Sequence, residues 1–130
     1  MTRTGSDYIK RADDARSIYL NGQLVGNAVD HPAFRNALGT VASLYDFQAA
    51  PENRDLMTFE SPTSGERVNR CWQLPNSYEE LVKRREAITA WAELTFGFLG
   101  RSPDHVASCL SGMVMGIDVF ESHGKERAKA

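Results

Sequence analysis

Arg101 and His105 stand four residues apart across the start signals of a helix, Ser102-Pro103-Asp104. Serine suits an N-cap, proline the first turn, and aspartate the positive end of the helix dipole. Both side chains can therefore face the same space beside the first, unpaired backbone N–H groups of that helix. A guanidinium supplies several fixed donors, and an imidazole exchanges a proton near neutral pH. Together with the partial positive charge of a helix start, the pair favours an oxyanion such as a phenolate or carboxylate. The plainer alternative is that Arg101 closes the preceding helix and His105 is a surface residue.

Other residue constellations point to no chemistry. His31, His105 and His123 share no ligand spacing, and neither HExxH nor CxxC occurs, so a metal site is not expected. No Rossmann or P-loop fingerprint is present. Gly112 and Gly116 form a GxxxG pair that reads as close helix packing, and Ser111 lacks the strand-turn-helix setting of a nucleophile elbow. Asp13-Asp14 and Glu79-Glu80 read as exposed helix faces, and Lys83-Arg84-Arg85 as a solvated one.

The elements that would hold Arg101 and His105 are mostly helical. A short helix is expected over 6–15, capped by Ser6 or Thr4. Asn21-Gly22 between two β-favouring runs predicts a hairpin. Pro32 opens a helix whose stripe is Phe34, Ala37, Leu38, Val41, Leu44 and Tyr45, broken at Pro51. Two short strands are expected over 56–60 and 67–74, joined by the turn-rich "SPTSGE". The longest helix opens with a Ser77/Glu80 capping box, lines up Leu81, Ile88, Trp91, Thr95 and Phe98, and closes at Gly100. A last helix runs from Ser102 to about Ser122, and within it "CLSGMVMGIDVF" is apolar nearly all round, so the helix is expected to be buried by several neighbours.

The 130 residues suffice for one domain, 1–130, with 15 basic and 17 acidic residues and a net charge of −2. No basic tract marks a nucleic-acid surface, and no apolar run approaches a membrane span. Without a signal peptide, and with Cys71 and Cys109 unpaired in spacing, a cytoplasmic setting is expected, with both thiols acting as small buried groups. "SHGKERAKA" opens a helix that nothing closes, so the chain reads as one part of a larger protein. Its apolar last helix would then expose an interface patch if it stood alone.

The segments "TGSDYI", "IYLNGQLV", "HPAFRNAL", "PENRDLMTFESPTSGERVNR" and "LVKRREAITAWAELTFGFLGRSPDHV" closely resemble the 4-hydroxyphenylacetate 3-hydroxylase family, in the same order and over nearly the whole chain. The resemblance implies an acyl-CoA dehydrogenase-like fold, of which this chain would be the N-terminal helical domain, without the middle β-barrel and C-terminal bundle that builds a tetramer. It implies reduced FAD, delivered by a separate flavin reductase, and hydroxylation of a phenolic substrate ortho to its hydroxyl. It places Arg101 on the phenolic oxygen, with His105 beside it where the family's hydroxylases commonly carry tyrosine. The flavin site would lie mostly outside this chain, which alone would be inactive. A related branch, which dehydrates 4-hydroxybutyryl-CoA, uses an iron–sulfur cluster held by cysteines in this part of the chain. Only Cys109 is available here, which speaks against that branch. From the residues alone, the rival expectation is a helical protein-interaction module without catalysis.

Overall fold

A computed structural model describes residues 2–99 and 102–128, the side chain of Arg127 excepted. Its elements in chain order are α1 (Gly5–Ala12), β1 (Ile18–Leu20), β2 (Gln23–Val25), α2 (Arg35–Ala49), α3 (Arg54–Met57), β3 (Thr58–Glu60), β4 (Arg67–Asn69), α4 (Tyr78–Leu94), α5 (Asp104–Met115), α6 (Ile117–Glu121) and α7 (Lys125–Ala128). The fold is mostly helical with two small antiparallel strand pairs, as expected.

Thr4, one of the two expected caps, starts α1 through a reciprocal box: the Asp7 amide donates to Thr4 Oγ1 and the Thr4 amide to Asp7 Oδ2. This helix ends at Ala12, three residues short of expectation, where Asp14 instead pairs locally with Arg16 at 2.7 Å. It lies on α2 through stacked Tyr8 and Tyr45 rings, 5.2 Å apart. The Gly5 amide donates to Asp46 Oδ1 at 2.8 Å, and a Cβ at Gly5 would stand 2.5 Å from the Ala42 carbonyl oxygen. Glycine is required there by the closeness of the two helices.

The predicted hairpin forms with Ile18 opposite Val25, and its turn residues Asn21 and Gly22 have φ of 52° and 78°. That is the left-handed pair a tight hairpin turn demands. The next helix begins at Arg35 rather than near Pro32, because the His31 carbonyl first accepts both the Phe34 and Arg35 amides.

Residues 56 and 57 are helical, not strand. The Thr58 hydroxyl donates to the Arg54 carbonyl at 2.6 Å, which holds the short α3 turn until β3 begins. The second expected strand stops at Asn69, whose side chain accepts the Cys71 amide and turns the chain into a 3-10 turn over Arg70–Trp72. Arg70 is buried there without a carboxylate: it donates to the carbonyls of Asp55, Leu56 and Thr58 and to Gln73 Oε1. Four neutral acceptors satisfy one cation and fasten α3, β3 and the turn together.

Ser77 caps α4 by accepting the Glu80 amide, but the Glu80 carboxylate accepts from Asn76 rather than Ser77, so the box is displaced by one residue. The helix ends at Leu94, well before the expected Gly100, which lies outside the described residues. Phe96 and Gly97 both have positive φ, and their amides donate back to Glu93 and Ala92. This is a Schellman ending with phenylalanine in the left-handed position. Phe98, expected on the helix stripe, is consequently off the helix and 91% exposed.

The core is small: Leu44, Met57, Ala87 and Trp91, flanked by Phe47, Leu56, Ala90 and Leu99. The Trp91 indole N–H donates to the Leu44 carbonyl at 3.1 Å, a hydrogen bond inside that core.

The last helix departs most from expectation. It breaks at Gly116 into α5 and α6, and it is not buried by several neighbours. While α6 packs on α7, the main contact of α5 is with the Arg70–Trp72 turn. The residues it buries are Asp104, Ala107 and Ser111, while Val106, Leu110, Met113, Val114, Val119 and Phe120 are exposed. Gly112 has open space where a Cβ would go, and Gly116 meets only backbone of its own helix. The GxxxG pair therefore packs against no helix among the described residues, because its face is turned away from the body. No helix among them is long and apolar enough to cross a membrane.

Truncating Leu44 to alanine should destabilise the chain by about 2–5 kcal/mol, and Gly5→Ala by about 1–3 kcal/mol. Urea unfolding followed by Trp fluorescence checks both. A Gly5→Ala chain as stable as the parent would contradict the close α1–α2 contact.

Candidate functional site

The helix start singled out by the sequence is the amino end of α5. Arg101 lies outside the described residues, so the expected pairing of Arg101 with His105 is not described by the structure. His105 occupies the second position of α5, where its amide donates to the Ser102 carbonyl at 3.0 Å and its imidazole is exposed. The Ser102 hydroxyl does not cap the helix amides. It donates instead to the Asp104 carboxylate, which is buried in the first turn. Asp104 thus places a negative charge at the positive end of α5, held by a hydroxyl from the preceding residues.

Beneath this turn lies a polar junction that the sequence hid. Arg84, read as part of a solvated run, lies on the core-facing side of α4 with Ala87 and Trp91. Its Nε and Nη2 donate to the Cys71 carbonyl at 3.2 and 2.8 Å, and Nη2 also reaches Ser108 Oγ at 3.0 Å. Lys83 and Arg85, by contrast, are exposed, with Lys83 paired to Glu79 at 2.6 Å. Asp13, Asp14 and Glu79 are exposed as expected, whereas Glu80 is half-buried.

The two cysteines divide. Cys71 is buried, and desolvation pushes its thiol up to about 12, with the charge of Asp104 adding to the rise and Arg84 opposing it. Cys109 is exposed, against the expectation that both thiols are buried, because it falls on the outward side of α5. No three His, Cys, Asp or Glu side chains converge on a metal position among the described residues.

An open cleft of about 650 Å³ lies between α1, α2 and the first hairpin, lined by Phe34, Ala37, Leu38 and Val41 with Arg3, Arg11 and Arg16. Another apolar concavity is formed by Leu110, Met113, Val114, Ile117 and Phe120 on the outward face of α5 and α6. Both are open to solvent rather than enclosed. The described residues do not by themselves enclose a flavin ring.

The body is mostly helical, with two β-hairpins and a helix start footed on polar groups, and the solved structures it resembles share an acyl-CoA dehydrogenase-like fold. The family described as 4-hydroxyphenylacetate 3-hydroxylase N terminal matches residues 4–130, and this chain belongs to it. The chain is 38% identical over 119 residues to the 4-hydroxyphenylacetate 3-monooxygenase oxygenase component of Geobacillus sp. (strain PA-9), covering 91% of the chain and 24% of that protein. It is 41% identical over 117 residues to the pyoverdin chromophore biosynthetic protein PvcC of Pseudomonas aeruginosa, covering 90% and 23%. The chain thus spans about a quarter of the length of the curated relatives it matches.

Among solved structures, the oxygenase component of 4-hydroxyphenylacetate 3-monooxygenase complexed with FAD and 4-hydroxyphenylacetate superposes with a TM-score of 0.82 at 32% identity, over 91% of this chain and 25% of that one. An archaeal 4-hydroxybutyryl-CoA dehydratase from N. maritimus gives 0.72 at 27%, over 99% and 25%. Both carry the same fold over this region, and the 38% identical relative belongs to the oxygenase side.

The burial of the cysteines yields a direct expectation. A thiol-reactive chromogenic reagent should modify about one cysteine per native chain, Cys109, and both only after denaturant is added. Rapid reaction of two thiols in the native chain would contradict the packing of Cys71 under α5.

Proposed function

We propose that this chain is the substrate-facing helical domain of a two-component, FAD-dependent aromatic monooxygenase that hydroxylates a phenol ortho to its hydroxyl. The observation that carries the reading is the match of 127 of its residues, 4–130, to the N-terminal family of 4-hydroxyphenylacetate hydroxylases, with "GRSPDH" at the start of α5. Reduced FAD, supplied by a flavin reductase, provides the oxygenating chemistry from a pocket completed by parts beyond these residues, and the chain alone is inactive. A tetramer of the complete enzyme accompanies the reading.

The task left to this chain is binding and orientation. Arg101 donates to the phenolic oxygen and stabilises it as phenolate, which makes the ring carbon beside it more nucleophilic. His105 serves as a second hydrogen-bond partner, on an imidazole that reaches solvent from the first turn of α5. A pocket of this kind acts by preorganisation, since its donors are fixed before the charge develops.

The exposed apolar face of α5 and α6 favours a second reading, a helical module that docks a partner without catalysis. A stable, monomeric chain with cooperative unfolding would support the module. Aggregation or a molten state would support a domain that needs its neighbours.

The direct test replaces the matching segment of the Geobacillus oxygenase component with residues 1–130 and supplies reduced FAD and 4-hydroxyphenylacetate. Ortho-hydroxylated product is expected, and Arg101→Ala should lower kcat/KM tenfold or more, about 1.4 kcal/mol of transition-state stabilisation. A folded, flavin-binding chimera that hydroxylates no phenol would end the enzymatic reading. An Arg101→Ala rate within about twofold of the parent would end the role given to that side chain.

A further inference from the structure

Helix α5 is attached to the body in an unusual sense: the face it turns inward is small and polar, and the face it turns outward is apolar. Asp104, Ala107 and Ser111 are buried and Ser108 is half-buried, at spacings of three and four that define one side of the helix. Hydrophobic burial therefore supplies little of the force that orients α5, and hydrogen bonds must supply the direction. One side chain is placed to do so. Arg84 projects from α4 and spans two acceptors on different elements, the Cys71 carbonyl of the 3-10 turn and Ser108 Oγ of α5.

The geometry is selective for arginine. Nε and Nη2 lie on one edge of a planar fork and converge on the Cys71 oxygen, while Nη2 retains a second hydrogen for Ser108. A lysine ammonium would bring the same charge without the fixed angle between the two acceptors. No carboxylate lies within ion-pair distance of Arg84 among the described residues, so the side chain is not held there by a salt bridge. The Cys71 carbonyl is itself fixed, since its own amide is anchored on Asn69 Oδ1 at 2.7 Å. The chain of contacts runs from a rigid turn through a planar cation to the second turn of α5, one turn beyond His105.

We propose that Arg84 is the positioning residue for the amino end of α5: its two-point grip on Cys71 O and Ser108 Oγ sets the pose of the turn that carries His105. This rests on the reading of that turn as the substrate-binding end for a phenol. Arg84 acts through α5 and touches no substrate itself.

The test uses three substitutions, Arg84→Met, Arg84→Lys and Ser108→Ala, with two readouts. Hydrogen exchange on the chimera described above should show the amides of Ala107–Ser111 exchanging tenfold or more faster in all three, while those of Ala87–Trp91 stay within twofold. Ser108→Ala is the discriminating variant, since it removes only the α5 arm and leaves the Cys71 contact intact. In the chimera described above, Ser108→Ala and Arg84→Lys should raise KM for 4-hydroxyphenylacetate fivefold or more with kcat within twofold.

A lower kcat at unchanged KM would mean fewer folded molecules and would overturn the proposal. So would α5 exchange within twofold of the parent in Ser108→Ala. Normal exchange and KM in Arg84→Lys would also overturn it, by showing that charge without the fork suffices. An inactive parental chimera together with selective α5 exchange would support the grip of Arg84 while removing the phenol reading.

Discussion

The hydrogen bond from the Trp91 indole to the Leu44 carbonyl is the constraint around which the domain closes. Few side chains are fully buried, so the core cannot rely on volume alone. A directional contact inside it fixes how far α4 is rotated against α2, and the largest buried side chain is thereby locked in one orientation. The rotation of α4 in turn decides that Arg84, two turns earlier on the same side, faces the Arg70–Trp72 turn rather than solvent. From there the order passes to α5. The position of the candidate substrate-binding turn is thus inherited, step by step, from one indole N–H.

Polar groups carry an unusual share of the architecture. Arg70 ties three segments together through carbonyl oxygens, Asn69 and Gln48 join β4 to α2, and Arg84 joins α4 to the turn and to α5. Each cation is satisfied by neutral acceptors, an arrangement that costs desolvation but gives exact direction. Apolar surface, meanwhile, is left outside, along α5 and α6. A domain with polar joints and an apolar exterior ridge fits the proposal that the flavin pocket is completed by other parts of the enzyme.

What the sequence made legible was the set of local rules. The Thr4 cap, the Asn21-Gly22 turn, the Ser77 cap and the helix stripe through Leu44 all depend on neighbours within a few residues, and each lies close to where local rules place it. The errors arose where a distant partner decided the outcome. Residues 56 and 57 look like strand but are held helical by Thr58 and Arg54. The run 83–85 looks like a solvated patch because nothing local marks Arg84 as the one that meets Cys71. Periodicity describes "CLSGMVMGIDVF" as apolar nearly all round, yet does not say that Asp104, Ser108 and Ser111 turn inward while the polar His105 stays exposed. For the candidate site, helix-start chemistry points to Arg101 and His105 and assigns Asp104 to the helix dipole, whereas the contact between Ser108 and Arg84 spans 24 residues of sequence.

The ending of α4 bears on how freely the following segment can swing. Two successive residues with left-handed backbone, Phe96 and Gly97, reverse the chain there. Only the second is a glycine. A phenylalanine in that region sits against its own backbone preference, and its solvent-immersed ring adds no packing to hold it, so the elbow is kept bent by the two amides that return to Glu93 and Ala92. The chain accepts local backbone strain, and in return the strand of residues leading toward "GRSPDH" leaves the helix along a restricted heading. Glycine at position 96 would release that strain and leave the two returning amides in place, so the native bend is held by its frame rather than by its hinge.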